Sequence, residues 1–200
     1  ESLSFGVQAC GYAPNSLGPD GIRHLARSPL LAGLRHLGLG QTSAGSEGVR
    51  ELARSPRLVR LESLELGFND IRPDGAAALA EAPWLAGVAW LNLSTNPIGD
   101  TGATTLARSP RAGSLESLWL GATGVGAAGL RALAESPHLG RLRILGLAGN
   151  ALASGSVTVL LGDNRFARLE QLHLGGGLYA ARLGDRDRER LQARFGDRLA

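Results

Sequence analysis

Lysine is absent: all 21 basic residues are arginine. A chain without lysine can form no Schiff base and cannot place the lysine of a Walker phosphate loop. Methionine is missing too, and cysteine occurs once, at Cys10. One cysteine excludes an internal disulfide and any zinc cluster built from several thiolates. A reducing compartment is the plain expectation, so the localisation is read as cytoplasmic, with secretion lacking a classical signal as the alternative. No apolar run approaches the roughly 18 residues of a membrane span, and no basic-plus-apolar leader opens the chain. No HExxH, GxSxG or Walker pattern is present. The expectation is therefore no catalytic residues, no metal, no cofactor and no membrane contact.

Aromatics are only 4% of the chain, whereas glycine is abundant at 29 of 200 residues. Hydrophobic residues make up 44%, enough to fill a core and to exclude disorder. The net charge is +3, so the high pI owes as much to arginine as to any excess of bases. The chain begins at Glu1 without a methionine, which reads as a piece of a longer protein.

Internal repetition comes next, because missing it would misread the fold. Leu37, Leu64, Leu91, Leu118, Leu145 and Leu172 are each 27 residues apart, and one further step back lands on Cys10. Seven frames start at Val7, Leu34, Leu61, Val88, Leu115, Leu142 and Leu169. The ninth position holds Asn15, Thr42, Asn69, Asn96, Thr123, Asn150 and Gly177. The fifteenth is Gly21, Gly48, Gly75, Gly102 and Gly129, then Ser156, and the twenty-third is Pro29, Pro56, Pro83, Pro110 and Pro137. The unit is LxxLxLxxN, then Gly, then LAxSPxL.

This unit resembles the leucine-rich repeat in its helix-bearing, ribonuclease-inhibitor-like form, over about residues 7–195. The strings "GAAALA" at 75–80 and "GATTLA" at 102–107 are similar to the GALA-type repeats of bacterial effectors. The resemblance implies an α/β fold: a curved right-handed solenoid of seven 27-residue repeats, with parallel strands on the concave face and helices on the convex face. It also implies a role in binding other proteins, alone or as the recruiting or regulatory part of an effector ligase or GTPase activator.

The residues point the same way. LxL alternation has the period of a strand, and Ile22, Leu25, Ala26 and Val49, Leu52, Ala53 have helical spacing. Ser-Pro ends each helix. Glycine at the fifteenth position is poor inside a helix and is expected to open it, giving helices over about 21–28, 48–55, 75–82, 102–109, 129–136 and 156–162. The ninth-position Asn should be buried, its amide serving the backbone of its own and the next repeat. One repeat cannot bury its own face, so stacking must supply the core.

Residues 1–6 read as the bare N-terminal edge of a truncated array, in contact with missing upstream sequence or free to self-assemble. Residues 7–174 are the repeats, and 175–200 a degenerate last repeat with a charged helical cap. In that cap Leu183, Leu191, Phe195 and Leu199 should face inward. Cys10 reads as a small core residue.

The third, fifth, seventh and eighth positions of each frame should face the concave side. Among these, Glu65 carries the only charge, and Phe68, Trp90, Trp119 and Ile144 fall in consecutive central frames. A large apolar patch on an exposed face is of binding-site type. These four, with Glu65, Asn92, His36 and His173, are the candidate residues for a protein or peptide partner, and the Trp90 and Trp119 rings are expected to touch. His36 and His173 lie five frames apart, roughly 24 Å at the spacing of strands, too far to share a metal. Trp84 falls in a column with Arg57 and Arg111 and is read as outer surface. The arginine columns of the convex side (Arg27, Arg54, Arg108; Arg57, Arg111, Arg165) read as solvated charge. No nucleic-acid role is expected.

Overall fold

A computed structural model describes residues 2–5, 17–162, 165–175 and 184–199. Seven three-residue strands form one parallel sheet in chain order. They are β1 (Ser2–Ser4), β2 (His36–Gly38), β3 (Ser63–Glu65), β4 (Trp90–Asn92), β5 (Ser117–Trp119), β6 (Ile144–Gly146) and β7 (Gln171–His173). The helices are α1 (Gly18–Arg27), α2 (Gly45–Ala53), α3 (Pro73–Glu81), α4 (Gly99–Arg108), α5 (Ala127–Ala134), α6 (Ser154–Leu161) and α7 (Asp185–Phe195). Each helix packs on the next. Strands sit about 4.8 Å apart and packed helices about 8–10 Å apart, so the sheet lies on the inside of the bend. The result is an α/β solenoid with the right-handed crossovers that parallel strands demand.

Leu37, Leu64, Leu91, Leu118, Leu145 and Leu172 pair laterally across six strands, none more than 2% exposed. The 27-residue period thus delivers one leucine per strand to a continuous core. The first strand departs from the period. Leu3, not Cys10, pairs with Leu37, an interval of 34 residues. Leu3 and Phe5 repeat the LxL alternation and pack on the core, so "SLSF" brings two apolar side chains to this edge. Cys10 and the expected concave residues Ala9 to Pro14 lie outside the described residues.

The helices begin two or three residues before the expected positions, because the fifteenth-position glycines sit inside them. A Cβ on Gly102 would stand 3.0 Å from the Cβ of Ala76 and 2.8 Å from that of Ile98. One on Gly75 would stand 3.0 Å from the Cα of Ser46. Glycine is there for close helix–helix approach, and its low helix propensity is the cost of it.

The ninth column forms a buried ladder. The Asn69 Oδ1 accepts from the backbone N–H of Thr42 and of Ala44, both 3.0 Å, while its Nδ2 donates to the carbonyls of Leu39, Leu66 and Gly67. Asn96 does the same for the N–H of Asn69 and Ile71, and Asn150 for Thr123 and Val125. The amides therefore serve their own and the preceding repeat, not the next one. Asn side chains lean back because the unbonded N–H groups of the earlier turn lie within their reach. Thr123 lacks an amide to offer Asn96's turn, and there the N–H of Ile98 bonds the carbonyl of Asn96 instead, at 2.7 Å.

A second ladder joins the helix ends. The hydroxyls of Ser55, Ser109 and Ser136 donate to the carbonyls of Ala26, Ala80 and Ala107 in the preceding helix. The third repeat has Ala82 in this column. There Trp84, 7% exposed and part of the core, donates its indole N–H to the carbonyl of Leu52 at 3.2 Å. Trp84 is thus not outer surface like Arg57 and Arg111. The indole ties this repeat to the preceding helix at a different carbonyl from the one the serines use, and a buried N–H needs such a partner.

At the far end α7 packs beside α6, burying Leu191 and Phe195, and Leu199 bridges to Leu172 at the sheet edge. The helix stops at Phe195 because Gly196 takes a left-handed φ of 55°. Leu183 lies outside the described residues. No described helix is long and apolar enough to cross a membrane.

Candidate binding face

Side chains that alternate with the buried leucines stand on the open face of the sheet in two rows. One row runs His36, Ser63, Trp90, Ser117, Ile144, Gln171, and the other Gly38, Glu65, Asn92, Trp119, Gly146, His173. The two central tryptophans are therefore diagonal neighbours on adjacent strands, in different rows. Trp90, Trp119, Ile144, Glu65, Asn92 and His173 are half-buried, and His36 is exposed.

Trp119 leans away from Trp90. Its six-membered ring lies so close over Gly146 that a Cβ there would stand 2.3 Å from it. Beyond Gly146 the ring meets His173, with centroids 4.7 Å apart and planes tilted by 38°. The indole N–H donates to the Ser117 hydroxyl at 2.9 Å. The expected Trp90–Trp119 contact is thus replaced by Trp119–His173. Gly146 removes the side chain that would hold the ring upright, and Ser117 offers a hydrogen bond that tips it.

On the other flank, the two carboxylate oxygens of Glu65 accept from the N–H of Gly67 and from the Asn92 Nδ2, each at 2.7 Å. Asn92 in turn accepts from the N–H of Ser94 at 2.8 Å, and the Ser94 hydroxyl accepts from the N–H of Gly121 at 3.2 Å. Charged and polar groups on this face thus close off the N–H groups where strands turn.

Phe68, 54% exposed, stands in the turn after β3 and not on a strand. Its φ is 59°, but Gln41, Thr95 and Ala122 share that left-handed conformation in the same column. The strain belongs to every turn and does not mark Phe68. What separates Phe68 from its column is its large apolar side chain on the rim of the face, which the sequence alone shows.

The outer surface has the opposite character. Asp20, Glu47, Asp74 and Asp100 fall in the first turns of their helices and Arg27 and Arg108 in the last, each sign where the helix dipole favours it. Arg54 follows α2 at its C-terminal boundary. Asp74 is also fixed locally: the Ser46 hydroxyl donates to it at 2.8 Å and Arg50 pairs with it at 2.8 Å. The hydrogen bond from Ser46, with smaller help from the backbone N–H groups of Gly75 and Asp74 and then from Arg50, holds its carboxyl below the usual aspartate range. Among the described residues no group of three or more His, Cys, Asp and Glu could hold a metal ion.

Two stretches of the chain, 61–80 and 91–107, match the family model described as Leucine Rich repeat. No curated protein matches. Among solved structures the chain is similar to an internalin from Listeria monocytogenes, with a TM-score of 0.52 and 21% identity. That likeness covers 82% of this chain and 46% of the internalin chain, so the protein spans under half of that structure. A likeness to TLR13, solved with an RNA, has a TM-score of 0.25 at 17% identity over 78% of this chain and 33% of that one, too low to establish a common fold.

Proposed function

Because the chain is a solenoid of leucine-rich repeats, we propose that it is a noncatalytic protein-interaction module that holds a protein or peptide on the open face of its sheet. The observation that carries this reading is the pair of partly exposed tryptophans on adjacent strands of the open face, among residues of which only Glu65 is charged. Large rings left partly in water lose apolar burial that a partner restores. Ile144 beside them and Phe68 on the rim extend the apolar area, Glu65, Asn92 and His36 add polar contacts, and His173 backs Trp119. The face carries no arginine to meet phosphate, which favours a polypeptide over nucleic acid or an anionic membrane.

The test replaces both Trp90 and Trp119 with alanine. Neither ring is in the leucine core, so the double variant should melt as one cooperative unit within several degrees of the parent. Against a partner isolated by affinity capture, binding should weaken by two orders of magnitude or more, the scale of losing central anchors of about 2 kcal/mol each. Full-strength binding by the folded double variant would refute the assignment.

A further inference from the structure

We propose that the partner segment held on this face presents a cation, an arginine side chain, to the space between Glu65 and the two tryptophans. This rests on the function proposed above and names the chemistry of its partner.

The first ground is the distribution of charge. The chain has 21 arginines, yet neither row of the face contains one, and its single formal charge is the Glu65 carboxylate. The face thus carries one negative charge beside two indoles, on a chain whose net charge is positive.

The second ground is what the local hydrogen bonds leave unused. Glu65, Asn92 and Trp119 are lateral neighbours in one row, so Glu65 and Trp119 stand two strand spacings apart, about 10 Å. Asn92 forms the floor between them, with one amide hydrogen committed to Glu65 and its oxygen to Ser94. Each carboxylate oxygen of Glu65 takes one hydrogen bond and keeps a lone pair. Trp119 leans over Gly146 toward His173, on the side away from Asn92 and Glu65. Trp90 stands one row away between Ser63 and Ser117, with no large neighbour on either side in its row. Two free lone pairs and indole faces are the chemistry left for a visitor, and both attract a cation.

The third ground is the match of shape. A guanidinium is planar, offers paired N–H groups to a carboxylate and stacks on an indole, whereas an ammonium is a hydrated point charge. Arginine should therefore be preferred over lysine, and lysine over any neutral residue. An acidic residue at that place would meet Glu65 and be rejected.

Selection from a displayed library of random dodecapeptides on the intact chain tests this, with parallel selections on Glu65→Gln and on Trp90→Ala. Glu65→Gln keeps an acceptor for Gly67 and removes the charge together with the acceptor that Asn92 uses, and Trp84, buried in the core, reports by fluorescence that each variant is folded. The expected result is enrichment of peptides sharing an arginine. Their synthetic versions should bind about ten- to a hundredfold more weakly to Glu65→Gln, and should lose affinity when that arginine becomes norleucine. Enriched peptides without a shared base that still depend on Trp90 would overturn the arginine assignment and leave the binding face standing. Peptides indifferent to Trp90 and Trp119, or no enrichment at all, would overturn both. If sedimentation shows the parent to self-associate and Glu65→Gln to be monomeric, the arginine comes from a second copy and the separate peptide partner is refuted.

Discussion

Asparagine 96 shows how a single side chain holds two repeats together. Its amide reaches the N–H groups of Asn69 and Ile71 and the carbonyls of Leu66, Leu93 and Ser94. Removing it leaves buried backbone groups without partners, each a penalty that mutational data place near 1–3 kcal/mol. Asn96→Ala should therefore destabilise the chain by about 2 kcal/mol or more in urea unfolding. Asn96→Thr should cost distinctly less, since Thr42 and Thr123 occupy the same column and donate their hydroxyls to Leu39 and Leu120. Equal losses for the two variants would show that the ladder is not held by polar satisfaction. Trp84 teaches the complementary lesson. A repeat with alanine in the serine column still reaches the preceding helix through an indole two residues on, at the carbonyl of Leu52.

At the scale of helices, the glycines and the Ser46–Asp74 contact decide how neighbours pack. Helix propensity predicts that Gly102→Ala gains about 1 kcal/mol. The contacts predict the reverse, because a methyl group 3.0 Å from Ala76 presses α4 against α3 and one 2.8 Å from Ile98 crowds the first turn of α4 itself, an overpacking that costs roughly 1–3 kcal/mol. The net expectation is a lower melting temperature, and a higher one would show that the helices slide freely. Ser46 on α2 and Asp74 on α3 make a pH-dependent link. The carboxyl is held low in the folded chain, so its contribution is present above the ordinary aspartate value. It is lost as pH falls through the folded one. Ser46→Ala should raise the Asp74 titration midpoint toward the ordinary value, read by carboxyl carbon NMR, and should flatten the dependence of stability on acid pH. An unmoved midpoint would assign the shift to the backbone N–H groups of Gly75 and Asp74 and to Arg50. The group is largely in water, so the effect on overall stability is small.

Across the whole molecule, each repeat touches only its neighbours, and stability behaves as a chain of local terms. The last strand is closed by Phe195 and Leu191 from α7. Phe195→Ala removes a buried ring, a change worth about 3–5 kcal/mol in other cores. Its effect should stay near the end that it closes: amide exchange should quicken in β6 and β7 while β3 and β4 keep their protection. Uniform loss along the sheet would mean that the array unfolds as one unit and that nearest-neighbour reasoning fails here.

The sequence by itself determined the period, the leucine of each strand from β2 onward, the buried asparagines and the residues of the open face. Each of these is a pattern within one repeat, or a column across repeats, and every frame restates it. Only the tertiary structure decided where β1 lies, because the interval from Leu3 to Leu37 departs from the period and only packing against Leu37 selects it. It decided that the column of glycines is interior to the helices, since closeness to a neighbouring helix leaves no trace in local propensity. It decided that Trp84 is core, because whether a ring packs inward or outward depends on the neighbouring helix that offers its indole a carbonyl. It also decided that Trp119 meets His173 instead of Trp90, since alternation fixes the face a ring stands on but not the direction in which it tips.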